Sequence, residues 1–151
     1  MGILNHLIAP RRAGAMHAAL AQAPFGALLL PQFERLGRAA GRLPEGGPTG
    51  SAWSRAYVLG AACASLQQPG GAPISDQTCF ATALDAFTLT YGARRARAIL
   101  AATIAAAEAQ EPEVEDGLLQ GAADLALVAA GAPGASLHFA TRIVEELAEA
   151  A

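Results

Sequence analysis

Apolar residues recur along this chain every three to four positions, and no stretch alternates with period two over a strand's length. The pattern therefore predicts helices throughout. Residues 1–9 read as a short apolar helix or arm stopped by Pro10. Residues 11–22 read as a second helix, and Pro24 suits the first turn of the next. Residues 25–43 carry Leu28, Leu29, Phe33 and Leu36 on one side and Glu34, Arg35 and Arg38 on the other, with a break expected near Pro31. Residues 41–50 are dense in Gly and Pro and read as a linker.

Ser51 is placed to cap the next helix. That helix holds Trp53, Tyr57, Gly60, Ala61 and Ala64 at helical spacing, and it is apolar nearly all round after Arg55. A helix of that kind belongs at the centre of a bundle, and Gly60 and Ala61 let a neighbour approach closely. Ser75 caps a helix with a buried stripe of Phe80, Ala83, Leu84, Phe87 and Tyr91, which Gly92 ends. Residues 93–110 follow, with Ala96, Ile99, Leu100, Thr103 and Ala107 inward. Pro112 opens a helix whose first turn holds Glu113 and Glu115, as the positive helix end favours. Val114, Leu118, Gly121, Leu125 and Val128 line one of its faces. After a turn at 132–134, Ser136 caps a last helix with Leu137, Ala140, Ile143, Val144 and Leu147 inward. His138, Arg142, Glu145, Glu146 and Glu149 form its polar face.

The elements echo one another. Gly60-Ala61-Ala62, a Gly/Pro break and Phe80-Ala81-Thr82 are followed by Gly121-Ala122-Ala123, a second break and Phe139-Ala140-Thr141. Each copy reads as helix, turn, helix. The expectation is an all-α, single-domain bundle of six to eight helices. An N-terminal helical segment (residues 1–50, with the linker at 41–50) precedes a helical core at 51–151 built from two similar hairpins.

Composition narrows the function classes. The chain has 151 residues, 53% of them apolar and 15% charged, which excludes a disordered protein. Much of the apolar share is alanine and aromatics are 5%, so the core depends on close helix approach. All ten basic residues are arginine. Residues 1–60 carry six arginines against two glutamates, and residues 111–151 carry eight acids against Arg142 alone. These opposite halves can pair within one molecule or between copies. A net acidic chain without interleaved aromatic and basic residues does not predict a nucleic-acid partner. Residues 13–33 lack charge apart from the histidine. Pro24 and Pro31 interrupt them, so a buried helix is favoured over contact with a membrane surface. Arg11-Arg12 before an alanine-rich run is a poor leader, because Pro24 would follow the cut.

The paired helical hairpins at 56–92 and 117–147, with the closing Arg142-Ile143-Val144-Glu145-Glu146-Leu147, resemble the tellurite-resistance TerB-like family. That resemblance implies an all-helical scaffold with two pseudo-repeated hairpins, each carrying an Asp-Gly loop and a following Glu associated with divalent cations. Here the first turn has Gly70 where the loop Asp would stand, keeping Asp76 alone, and the second turn (residues 130–137) has no acid. A hard cation needs several oxygens, so no metal and no cofactor is carried over.

Motif-level chemistry is absent from the sequence. There is no CxxC and no HExxH, Gly46-Gly47-Pro48-Thr49-Gly50 lacks the lysine of a phosphate loop, and Ser65 and Ser136 lack a nucleophile elbow. Cys63 and Cys79 flank one turn among apolar neighbours. They read as small buried hydrophobes in a reducing compartment, with a disulfide across the hairpin as the alternative. His6, His17 and His138 read as ordinary polar-face histidines. Asp124 is the single charge between Gly117 and Thr141, and pairing with Arg94, Arg95 or Arg97 inside the fold is expected of it. Arg94, Arg95 and Arg97, with Asp124, are the candidate partner-binding residues. The function these readings predict is a non-catalytic helical interaction module in the cytoplasm, docking onto a protein partner or a second copy. An accessory subunit, or a carrier of a hydrophobic ligand in a cavity between small-sided helices, is the alternative.

Overall fold

A computed structural model describes residues 16–37, 50–67, 70–132 and 138–150. The expected arm at 1–9, the Arg11-Arg12 pair, His6, nearly all of the linker at 41–50 and the Ser136 cap lie outside the described residues. Among the described residues the chain is an all-α bundle of seven helices with no strand. Residues 16–22 form α1. The others are α2 (Pro24–Arg35), α3 (Ala52–Ala64), α4 (Asp76–Tyr91), α5 (Ala93–Glu108), α6 (Pro112–Ala129) and α7 (His138–Ala150).

Local chemistry sets several of these boundaries. The Ser51 and Ser75 side chains accept from the backbone N–H of Ser54 and Thr78, satisfying donors that a first helical turn leaves open. Pro24 and Pro112 open α2 and α6 at positions where a missing N–H costs nothing. Gly92 serves two helices. At φ 88° it accepts a backbone conformation that side-chain-bearing residues avoid. Its N–H caps α4 on Thr88 while its carbonyl starts α5.

Pro31 does not break the second helix as expected; α2 runs through it. Proline removes one hydrogen bond, to the carbonyl of Ala27, and both residues are exposed, where water satisfies that oxygen. On the opposite side Phe25, Leu28, Leu29 and Phe33 are buried and anchor the helix in the core.

The centre of the bundle is the pair α3 and α6. Trp53 through Ala62 are buried apart from the half-buried Arg55, so α3 is enclosed on nearly all sides. It meets α6 backbone to backbone. A Cβ added at Gly60 would lie 2.8 Å from the carbonyl carbon of Leu118, and one added at Gly121 would lie 2.8 Å from that of Tyr57. Leu118 is three residues before Gly121, and Tyr57 is three residues before Gly60, so the contact is reciprocal. The glycines of the two Gly-Ala-Ala triplets of the sequence echo thus lie at this crossing. One turn earlier, a Cβ on Gly117 would sit 2.9 Å from that of Ala56. Aromatics close the other side of the crossing: Trp53 and Tyr57 rings lie 5.4 Å apart, and Phe139 of α7 lies 5.4 Å from Tyr57 and 6.0 Å from Phe33.

Some inward expectations fail at the periphery. Phe80 is 38% exposed, and Val144 and Leu147 are 51% and 40% exposed. α7 touches the core along a narrow edge of Phe139, Ala140 and Ile143, so its apolar side is wider than the surface it covers. Phe80 belongs to a cleft described below.

The glycine contact yields a sign test. On helix propensity alone, Gly→Ala stabilises by up to about 1 kcal/mol. At Gly60 and Gly121 the added methyl must push the helices apart, a loss on the order of 1–3 kcal/mol or more. We expect Gly121→Ala and Gly60→Ala each to lower the thermal midpoint. A rise at both positions would mean the helices are not in backbone contact.

Candidate ligand cleft and the buried Asp124 cluster

Near the C-terminal end of α3, the helices α3, α4 and α5 do not close completely. They leave a cleft of about 650 Å³. Its apolar lining comes from Leu59 and Cys63 on α3, Cys79, Phe80 and Ala83 on α4, and Ile104 and Ala107 on α5. The space exists because Ala83 and Ala107 stand where larger side chains would fill it. The exposed carboxylates of Asp76 and Glu108 complete the lining at the start of α4 and the end of α5. Phe80 forms one edge, with the Arg97 guanidinium 5.7 Å from its ring centre.

Cys63 and Cys79 are both half-buried and unbridged. Burial pushes the Cys63 thiol above its ordinary value, and the neighbouring Cys79 adds to the rise. A thiol kept protonated is a poor nucleophile, so Cys63 gives the cleft floor an apolar contact. Tyr91, on α4, is another group that burial holds in its neutral form. Desolvation raises its ionisation well beyond the tyrosine range, partly offset by the charge of Arg55 and the hydroxyl of Ser54.

The arginine patch opens α5. Arg94 and Arg97 are exposed and Arg95 is half-buried. Arg97 is engaged with Phe80 at the cleft edge, which ties part of the patch to the cleft.

The structure does not bring Asp124 to these arginines. Asp124 is fully buried on α6. Its carboxylate accepts from the Tyr57 hydroxyl at 2.6 Å and from Gln120 Nε2 at 2.8 Å, while His138 Nδ1 lies 3.0 Å from one oxygen and 3.1 Å from the other. Facing a carboxylate, Nδ1 carries the proton and donates. Expected pairing with Arg94, Arg95 or Arg97 is therefore corrected: the demands of this buried carboxylate are met by neutral donors and an imidazole. Nor does burial leave it open to a partner.

The cluster extends further. Gln32 Nε2 donates to the Tyr57 oxygen at 3.3 Å and to the Leu28 carbonyl at 3.1 Å. Gln32 Oε1 accepts from the backbone N–H of Ala140 at 3.1 Å. Thus one polar network joins α2, α3, α6 and α7 inside an apolar bundle. An Asp–His pair invites a catalytic reading. However, the His138 Nδ1–H is turned to Asp124, and no serine, threonine or cysteine bonds the ring among the described residues. The arrangement ties the helices to one another through buried hydrogen bonds. The sequence pattern placed Tyr57 on the central helix without its polar role and did not single out Gln32, although a glutamine inside the apolar stripe 28–29–33 was the available signal.

Among the described residues no group of three or more His, Cys, Asp or Glu is placed to hold a metal ion. No helix among them is long and apolar enough to cross a membrane. Compared with protein-family models, characterised proteins and solved structures, the chain matches none.

Removing the Tyr57 hydroxyl should leave both Asp124 and Gln32 short of a partner in a dry interior. We expect Tyr57→Phe to lower unfolding free energy by about 1–3 kcal/mol. The check is urea denaturation, with the midpoint lowered and the slope unchanged. An unaltered midpoint would mean that the cluster contributes nothing to stability.

Proposed function

We propose that this chain is a non-catalytic helical binding module whose α3–α4–α5 cleft takes a hydrophobic ligand. The supporting observation is the cleft: its volume lies in the range of small-molecule sites, its lining is mostly apolar, and Ala83 and Ala107 leave room between Leu59, Phe80 and Ile104. An apolar body placed there gains from leaving water at roughly 25 cal/mol per Å² covered. The sulfur atoms of Cys63 and Cys79 fit this role, because they offer polarizable contact to an apolar body. The cytoplasm, where free thiols persist, is the compartment this reading assigns.

A second reading, docking onto a protein partner through a TerB-like scaffold, is favoured by α6. Leu119 is 73% exposed and Leu127 45% exposed, with Ala123 and Ala126 also exposed between them and no charged residue from 117 to 130 other than the buried Asp124.

One set of variants tests the readings together. An uncharged environment-sensitive dye such as N-phenyl-1-naphthylamine should bind the protein and gain fluorescence. Ala107→Trp, which fills the cleft from its rim, should abolish that gain while leaving the helical circular dichroism intact. Leu119→Arg should leave the gain unchanged. Dye binding lost in Leu119→Arg but kept in Ala107→Trp would move the site to α6 and overturn the cleft.

A further inference from the structure

The charged groups around the cleft are unequally placed, and this narrows what fits it. We propose that the cleft selects a small amphiphile with a cationic head, an alkyl or aryl body carrying an ammonium group; this rests on the ligand-binding reading above.

Two carboxylates, Asp76 and Glu108, line the cleft, and no arginine is among its lining residues. Neither carboxylate has an ion pair or a side-chain hydrogen bond among the described residues. Their positions differ in a useful way. Asp76 opens α4, where the helix's positive end already compensates a negative charge. Glu108 ends α5, where the backbone carbonyls add negative potential to its own. The Glu108 side is thus the more electronegative. The Arg97 guanidinium is held over the Phe80 ring. A ligand with a positive head has its charge favoured beside Glu108 and Asp76 and its apolar body favoured between Phe80, Ala83 and Ile104. An anionic head would meet two carboxylates and no arginine among the lining residues. An uncharged one would gain the apolar contact alone.

Three probes of one chain length separate these cases: dodecyltrimethylammonium, dodecanol and dodecyl sulfate, each below its aggregation threshold. They are titrated against the full chain loaded with N-phenyl-1-naphthylamine. The ammonium should displace the dye at a concentration about five-fold lower than the alcohol, the scale expected of two exposed charges. The sulfate should be weaker than the alcohol. Salt should narrow the gap, because exposed charges are screened. In Asp76→Asn/Glu108→Gln the ammonium and the alcohol should become equal while the dye still binds; the single variant Glu108→Gln should remove the larger part of the preference.

Equal displacement by ammonium and alcohol, with the dye bound, would overturn the cationic preference and leave the ligand cleft standing. So would a preference that survives the double variant. Failure of the dye to bind would overturn both.

Discussion

The bundle depends on two helices touching without side chains between them. α3 and α6 meet where Gly60 lies on Leu118 and Gly121 lies on Tyr57. Backbone contact of this kind brings many atoms to van der Waals distance at once, a gain that a chain poor in aromatics and rich in alanine otherwise lacks. It is also unforgiving, because the carbonyl groups that fill the space cannot rotate away. With the axis pair fixed, the remaining helices have a surface to cover. α2 and α7 cover one side with Phe33 and Phe139, and α4 and α5 cover another with Phe87, Leu89, Ile99 and Leu100.

Close approach leaves no room to choose a register by bulky interdigitation, and the Asp124 cluster supplies that choice. Sliding or rotating α2, α3, α6 or α7 would strand a buried oxygen or N–H, because Gln32, Tyr57, Asp124 and the Ala140 amide satisfy each other across four helices. The small residues that permit the central crossing also explain the cleft. Where alanines on α4 and α5 face α3 away from the glycine contact, the helices stand apart and a gap opens at Ala83 and Ala107.

The sequence carried the helices and their caps clearly. Ser51, Ser75, Gly92 and Pro112 act where local spacing placed them, because capping is decided within a few residues. The Gly-Ala-Ala echo marked the surfaces that meet, although nothing local said that they meet each other. The failures are all long-range. Pro31 lies on an exposed side, and exposure is a tertiary property. Phe80, Val144 and Leu147 share helical spacing with buried neighbours, yet the core is narrower than the apolar stripe. Asp124 was visible as an isolated charge, but two of its partners, Tyr57 and His138, come from other helices 67 and 14 residues away along the chain, and Gln32 joins from a third through Tyr57. The cleft is a place where packing stops, and no residue pattern announces that.

The most direct measurement of the central contact is proton–proton cross-relaxation in solution. If α3 and α6 touch through their backbones, the Gly60 α-protons give strong cross-peaks to the Leu118 α-proton, and the Gly121 α-protons give strong cross-peaks to the Ala61 amide proton. If those cross-peaks are missing and only side-chain protons connect the two helices, the helices are held apart and this account of the fold is wrong.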